Sequence, residues 1–179
     1  MRDRETINLA LHAADTGHLV FSTLHTVDAK ETINRIIAQF PTEEQNRVRL
    51  SVAGVLQGVI SQRLVPTIDG KRRAALEILV RTPTIEKLIM ENRDYEIRDT
   101  IEAGKEHYHS QSFDQAIYDL YMEKVISKEQ ALDNATSASD LELKISGLTS
   151  GKITSNPNKG EMETPAADIT TDDDIFDLK

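Results

Sequence analysis

Two imidazoles and three hydroxyls fall within one short segment, HLVFSTLHT, at positions 18–26. They belong to His18, Ser22, Thr23, His25 and Thr26. An imidazole can donate a hydrogen bond to a phosphate oxygen, and its protonation responds to a nearby polyanion. A serine or threonine hydroxyl can donate to the same kind of oxygen. The residue types therefore favour an anion, and a phosphate in particular, as the ligand of this segment.

The elements around this segment decide where those groups lie. The apolar run at 19–21 lacks the alternation of a half-exposed strand, so we expect a central strand at 19–24 that is buried on both faces. A helix that begins near Ala29 would direct its first N–H groups toward the carboxyl end of that strand. In open α/β sheets, ligands bind outside the carboxyl ends of the strands. The sequence therefore predicts an anion site between this strand end and this helix.

Both histidines also have a structural interpretation, and the residues alone do not decide between the two. A histidine at a strand end is often a hydrogen-bonded structural group, which is the alternative for His25. His18 follows a helix expected to end at Gly17, so its ring could cap that helix instead of contacting a ligand.

Hydrophobic spacing predicts helices and a hairpin in the first part of the chain. Apolar residues spaced as on one helix face predict helices over 4–16 and 29–40. Capping-box spacing marks two helix starts, at Asp28 with Glu31 and at Thr42 with Gln45. Asp69-Gly70 separates two strand-like runs and predicts a hairpin. In the second run, alternation predicts one favoured face at Ala74, Leu76, Ile78 and Val80.

Short helices are expected after the hairpin. Thr82-Pro83 is a helix-start pair, with proline at the first helical position. The predicted helices lie at about 84–91, 94–103, 113–124, 128–135 and 139–146. Two capping boxes are predicted among them, at Ser112 with Gln115 and at Ser127 with Gln130.

Composition excludes several classes of function. The net charge of -9 and pI near 5.0 argue against general binding to nucleic acid or anionic lipid. Without cysteine there is no disulfide, thiolate zinc site or thiol nucleophile, which suits a reducing cytosol. No stretch reaches the roughly 20 apolar residues of a membrane span, and MRDRETIN lacks the apolar core of a signal peptide. We expect a soluble, cytoplasmic protein that approaches membranes only through partners.

The segment from Met1 to Pro41 closely resembles the region that follows the Walker B glutamate in type IV pilus and type II secretion ATPases. There it contains the histidine box, usually written HLVFGTLHTNSA or similar. Ser22 replaces the common glycine here, and Val27-Asp28-Ala29 closes the box. Residues 43–89 resemble the continuation, through the hairpin and the helix after Thr82-Pro83. The resemblance covers about residues 1–135 and is greatest to the pilus retraction ATPases.

This resemblance implies an α/β fold. The first part of the chain, over 1–81, would be the C-terminal part of a RecA-like P-loop ATPase core. The run of short helices predicts a helical subdomain over 82–147, and the polar composition of 148–179 predicts a disordered acidic tail. The implied activity is ATP hydrolysis in a homo-hexameric ring, coupled to pilus disassembly at the inner-membrane pilus base. ATP and Mg²⁺ are the implied cofactors of the complete enzyme, and an inner-membrane platform protein is the implied partner. No metal site is expected within this chain.

The resemblance also implies roles for the box residues. His25 would lie near the γ-phosphate and report its presence, and Thr23 would be a neighbouring polar sensor. His18 would hold the geometry of the strand or contact the adjoining domain, and Thr26 would cap the turn behind the box. Arg2 and Asp3 match a motif that directly follows the family's catalytic glutamate. They would position that segment, with Arg2 close to phosphate charge.

Two family features are missing from these 179 residues. The P-loop pattern G-x-x-x-x-G-K-[ST] does not occur, and GLTSGK at 147–152 has the wrong spacing. The catalytic glutamate would come immediately before Met1, so we expect an internal start, a split gene or a fragmentary gene. Because half of the phosphate site is absent, the isolated chain should have little or no ATPase activity. The strand at 19–24 should have open edges.

A further departure concerns the direction of pilus movement. Retraction ATPases commonly carry AIRNLIRE after the Thr-Pro turn, and this chain has TIEKLIME at 84–91, with Glu86 and Met90 at the arginine positions. A retraction role is therefore less secure than family membership. The alternative function is a non-enzymatic assembly or regulatory module that docks on the motor ring or the platform. In the tail, residues 175–178 are either part of a solvated spacer or a short docking motif.

Overall fold

Helices and one β-hairpin make up the regular structure of the computed structural model, which describes residue 1 and residues 3–147. Arg2 and the predicted acidic tail at 148–179 lie outside the described residues. The helices are α1 (Arg4–Asp15), α2 (Ala29–Ala38), α3 (Thr42–Val55), α4 (Pro83–Met90), α5 (Ile97–Ala103), α6 (Lys105–Tyr108), α7 (Phe113–Met122), α8 (Lys128–Asn134) and α9 (Ala138–Ile145), with a 3-10 helix at Asp94–Glu96. The strands are β1 (Gly58–Pro66) and β2 (Arg72–Val80).

Side-chain caps begin most of the predicted helices. Asp28 accepts from the Glu31 N–H at 2.7 Å, and Thr82 accepts from the Ile85 N–H at 3.2 Å. Both predicted capping boxes of the second half are formed, at Ser112 with Gln115 and at Ser127 with Gln130. The four-residue helix α6 was not predicted, because so short an element has no hydrophobic period to detect.

The capping box predicted at Thr42 and Gln45 is wrong. Thr42 is the first residue of α3, and Pro41 is the N-cap without a side-chain hydrogen bond. The Gln45 side chain instead donates to the Phe40 carbonyl at 3.0 Å. The helix therefore begins at Thr42, one residue earlier than the box requires, and Pro41 at ψ 150° is the last non-helical residue before it.

The predicted hairpin is confirmed, but its favoured face is reversed. β1 and β2 pair antiparallel from Gly58 opposite Val80 to Pro66 opposite Arg72, and Gly70 has φ +79° in the turn. The buried residues of β2 are Ala75, Glu77 and Leu79. The face predicted from Ala74, Leu76, Ile78 and Val80 is exposed or half-buried. Both faces carry apolar residues, so helix packing, which the alternation does not encode, selects the buried one.

The core has two hydrophobic clusters, and the hairpin contributes to both. The first cluster takes buried residues from α1 to α5 and Leu79 from β2. The second takes buried residues from α7 to α9, together with Val65 of β1 and Ala75 of β2. The inner face of the hairpin therefore runs from one cluster to the other. The division of the chain at residue 81 stays a prediction.

The strand predicted at 19–24 is not formed. Residues 18–26 have no regular secondary structure, and Leu19 and Phe21 are 78% and 88% exposed. A strand needs neighbouring strands to pair its backbone groups, and the described part of the chain supplies no ladder for this segment. The apolar side chains consequently remain at the surface.

Across residue 1 and residues 3–147, none of the helices combines the length and the apolar character needed to cross a bilayer.

Candidate functional site

The predicted site residues lie on the segment between α1 and α2. Ser22, Thr23 and His25 are exposed, and Thr26 is half-buried. The Met1 nitrogen donates to the Thr23 carbonyl at 2.7 Å and lies 3.4 Å from the Ser22 Oγ. Residue 1 and the middle of the segment are therefore adjacent.

Side chains of α2 hold the turn that leads from His25 into this helix. The contacts are Arg35 Nη1 to the His25 carbonyl at 3.0 Å, Thr32 Oγ1 with Thr26 Oγ1 at 2.6 Å, and the Val27 N–H to Glu31 Oε2 at 2.9 Å. Each contact fixes backbone or hydroxyl groups and leaves the His25 ring at the exposed surface. The turn is thus a defined support for one imidazole, built by three side chains of the following helix. Thr26 contacts Thr32 in this turn, and its predicted capping of the turn stays a prediction.

His18 lies at the other end of the segment, against the end of α1. Its Nδ1 is 3.2 Å from the Ala13 carbonyl and 3.2 Å from the Thr16 Oγ1. The His18 N–H donates to the Ala13 carbonyl at 3.0 Å. This geometry corresponds to the helix-capping interpretation of His18.

The anion site expected at the start of α2 is not available, because two carboxylates occupy it. Asp28 accepts from the Glu31 N–H, and the Oε1 of Glu77 accepts from the Ala29 N–H at 2.8 Å. Glu77 is 6% exposed, and Ala29 is fully buried. A phosphate approaching these donors would meet two negative charges instead of free N–H groups. In this structure, two N–H groups at the start of α2 donate to carboxylates instead of remaining for a ligand of His25.

Sequence reasoning missed Glu77. Burial raises the pKa of its carboxyl above the ordinary value of 4.5, and the Asp28 charge raises it further against the lowering effect of the Ala29 hydrogen bond. The available signal was a single acidic residue within the apolar run AALEILV of a predicted strand. A charge in such a run needs a specific partner if it is buried.

The residues at the start of the chain have partly structural roles. Asp3 is the N-cap of α1 and accepts from the N–H and the hydroxyl of Thr6, both at 2.9 Å. These bonds lower the pKa of Asp3. The predicted positioning of the segment after Met1 by Asp3 stays a prediction, and Arg2 lies outside the described residues. Within the described ranges, no three histidine or acidic side chains converge in a way that could hold a metal ion.

The donor set does not fit a complete triphosphate site. One imidazole and the neighbouring hydroxyls can contact a phosphate from one side, whereas tight binding needs a loop of backbone N–H groups and a lysine. The first turn of α2 cannot replace that loop because Asp28 and Glu77 already use it. A groove of about 390 Å³, at Pro83, Lys87 and Arg93 among others, lies against α4 and the residues after it and contains no box residue.

Comparison with known proteins agrees with the expected family. The family model for type II/IV secretion system proteins matches residues 1–142. The chain belongs to this family. This secretion system protein is 45% identical to the type IV pilus retraction ATPase PilT of Pseudomonas aeruginosa over 135 residues, which are 75% of the chain and 39% of PilT. It is 40% identical to the type IV pilus ATPase PilU of the same organism over 146 residues, which are 81% of the chain and 38% of PilU.

A solved structure of the pilus retraction motor PilT with bound ADP matches this secretion system protein with a TM-score of 0.69 and 42% identity. The match covers 79% of the chain and 39% of that structure. The predicted fold class, the C-terminal part of a RecA-like ATPase domain with a helical region, is thereby confirmed. The chain spans less than two fifths of the length of the PilT and PilU relatives it matches.

The structure also places the departure at 84–91 in this secretion system protein. The apolar residues Ile85, Leu88 and Ile89 are buried, as expected. Glu86 Oε2 is 2.7 Å from Arg81 Nη2, and Met90 is 40% exposed. Glu86 at the first changed position is therefore part of an ion pair within the chain.

Proposed function

We propose that this chain is the C-terminal part of a type IV pilus retraction ATPase. The observation that carries the proposal is the 45% identity to PilT over three quarters of the chain. Similarity to PilU, another type IV pilus ATPase, supports the pilus system more strongly than it supports one direction of movement. The replacement of both AIRNLIRE arginines, by Glu86 and Met90, is the feature that argues against a simple transfer of retraction.

In this function, His25 and Thr23 form one rim of the nucleotide pocket, with Arg2 near the phosphate charge. The hydrogen bond between the Met1 nitrogen and the Thr23 carbonyl supports the arrangement, since it joins the box to the residue that follows the family's catalytic glutamate. The exposure of His25 supports its place at the rim of such a pocket. ATP supplies the phosphoryl chemistry and Mg²⁺ balances its charge, while this chain orients one side of the pocket.

The complete protein would work as a homo-hexameric ring on the cytoplasmic side of the inner membrane. Its mechanical partner would be the platform protein at the pilus base. Similarity to the PilT motor supports a ring of identical subunits, and the acidic charge of -9 is consistent with association through protein partners instead of anionic lipid. Within this assembly, the box would respond to the presence of the γ-phosphate through His25.

Hydrolysis of ATP is the test of this function. The purified 179-residue chain should release no phosphate from Mg-ATP above background, because the P-loop cradle is absent and contributes orders of magnitude in rate. Mixed with the remaining, P-loop-containing part of Pseudomonas aeruginosa PilT, it should restore hydrolysis. Replacing His25 by alanine should then lower kcat by at least about tenfold, as loss of a polar group at the reacting phosphate does.

A matched control is His18→Ala, because His18 is also an exposed histidine of the box but its ring hydrogen-bonds to the end of α1. This variant should keep kcat within about twofold, as expected for a surface change away from the chemistry. Robust hydrolysis by the isolated chain, or equal effects of the two histidine variants, would contradict the assigned roles.

The exposure of Leu19 and Phe21 favours a second candidate function, a non-enzymatic module that docks on ring subunits or on the platform. Binding of the purified chain to intact PilT hexamers, measured by sedimentation without nucleotide, tests this candidate. If docking occurs through the segment, Phe21→Ser should weaken it at least about tenfold. Tight docking without restored hydrolysis would favour the module over the motor part.

A further inference from the structure

Glu77 lies where the two hydrophobic clusters meet on the hairpin. It is at the centre of the inner face of β2, between Ala75 of the second cluster and Leu79 of the first. Ser61 of β1 is its cross-strand neighbour and is also buried. Burying a carboxylate at this position costs free energy of folding unless its oxygens are hydrogen-bonded.

Glu77 accepts a hydrogen bond from the start of α2. The first N–H groups of a helix have no partner within the helix, and the Ala29 N–H is one of these groups. Because Ala29 is fully buried, water cannot satisfy this donor. The Oε1 of Glu77 accepts it at 2.8 Å across 48 residues of sequence. Glu77 thus fixes the point at which α2 begins.

That point also fixes the turn that carries His25. Asp28, the residue before Ala29, caps α2 and accepts from the Thr32 N–H and the Thr32 hydroxyl through its own carbonyl, at 3.0 and 2.8 Å. Thr32 then contacts Thr26, the residue after His25. The path from Glu77 to His25 therefore passes through Ala29, Asp28, Thr32 and Thr26. Each of these residues is hydrogen-bonded or adjacent in sequence to the next.

The charged groups around Glu77 do not replace this hydrogen bond. Arg63 and Arg98 lower the pKa of Glu77 only through space, and Asp28 raises it. Arg98 pairs with Asp114 at 2.7 Å, and Arg63 donates to Thr136 and lies over the Phe113 ring. Both arginines thus have other partners, so the Ala29 N–H is the polar contact that defines the position of the carboxylate.

We infer that Glu77 is a positioning residue for the histidine turn, which it links to the β1–β2 hairpin by accepting from the Ala29 N–H. The importance of the turn for nucleotide rests on the proposed function, whereas the link itself does not. Because the hairpin belongs to both clusters, a displacement of β2 against α2 would reach the turn through this hydrogen bond as well as through apolar packing. The residue acts through α2 and does not touch the ligand.

Two substitutions separate the hydrogen bond from the charge and the volume of Glu77. Glu77→Leu fills the space but cannot accept, whereas Glu77→Gln is neutral and keeps an accepting oxygen. Amide hydrogen exchange of Ala29 and the side-chain NMR signals of His25 are measured in the 179-residue chain, without nucleotide. Glu86→Gln, which changes a carboxylate of α4 paired with Arg81, is the matched control.

In Glu77→Leu, the Ala29 amide should exchange on the order of tenfold faster, because a buried donor has lost its acceptor. The His25 signals should shift at the same time. In Glu77→Gln, both readouts should remain close to those of the unchanged chain. The midpoint of urea unfolding should not fall in Glu77→Gln, which loses the buried charge and keeps the acceptor. A residue that only stabilised the core would not couple the exchange of the Ala29 amide to the His25 signals.

Unchanged Ala29 exchange in Glu77→Leu would overturn the inference, as would equal changes in Glu77→Leu and Glu77→Gln. If Glu77→Leu does not fold, Glu77→Asp, which keeps the charge but is one methylene shorter, gives the same comparison with Glu77→Gln. Hydrolysis in the mixture with the P-loop part of PilT distinguishes the two proposals. If Ala29 exchange changes as expected but neither the unchanged chain nor any variant restores hydrolysis, the positioning role is supported and the proposed function is contradicted.

Discussion

At the scale of the residue, Glu77 makes stability depend on pH in an unusual direction for a carboxylate. Its pKa in the folded chain is raised above 4.5 by burial, so the folded state binds the proton more tightly than the unfolded state. At a pH between the pKa of Glu77 in the unfolded chain and its pKa in the folded chain, the folded chain carries more protons than the unfolded chain. The contribution of Glu77 to the free energy of unfolding therefore decreases as pH rises. This contribution is fully present below pH 4.5 and is lost above the folded pKa.

Glu77→Gln should therefore be more stable than the unchanged chain at pH 7, by about 1 kcal/mol. The difference should shrink as pH is lowered toward 4.5, because Glu77 becomes protonated in the folded state as pH falls through its raised pKa. Urea unfolding at several pH values measures both quantities. A variant that is less stable at pH 7 would show that the ionised carboxylate contributes more than its burial costs. Glu86→Gln, at a half-exposed carboxylate, provides the comparison for a change of net charge alone.

At the scale of the element, helix caps give a prediction with an internal control. Ser127→Ala removes the acceptor of the Gln130 N–H in a capping box and should lower the free energy of unfolding by about 1 kcal/mol. Thr42→Ala should change it by less than about 0.5 kcal/mol, because Thr42 caps nothing. Thermal and urea unfolding of the two variants provide the measurement. An equal loss of free energy of unfolding in Thr42→Ala and Ser127→Ala would contradict the observed start of α3.

At the scale of the whole molecule, the segment at 18–26 should govern self-association. Leu19 and Phe21 are 78% and 88% exposed, so polar replacements remove apolar surface without opening the core. The double variant Leu19→Ser with Phe21→Ser should show less light scattering at high concentration, with the free energy of unfolding unchanged within about 0.5 kcal/mol. Tyr95→Ser, at a residue 69% exposed outside the segment, is the control. Equal effects of Tyr95→Ser and the double variant on scattering would contradict a specific role of the segment in self-association.

Local signals were sufficient for most helices and for the hairpin. The capping pairs at Ser112 and Ser127 and the Asp69-Gly70 turn depend on neighbours within four residues, so the sequence contains all the interacting groups. The order of HLVFSTLHT, the hairpin and the Thr82-Pro83 helix was likewise enough to predict the family, which the match over residues 1–142 confirms. The sequence by itself therefore determined the local elements and the ancestry of the chain.

Tertiary structure decided the features that depend on groups distant in sequence. The strand at 19–24 was predicted from its apolar residues, but a strand exists only with paired neighbours, which the described residues do not provide. The buried face of β2 and the partner of the Ala29 N–H were set by packing across 48 residues. Hydrophobic alternation shows which residues of a strand share a face, but burial also depends on what packs against each face. The contact between Glu77 and Ala29 could therefore be found only in the folded structure.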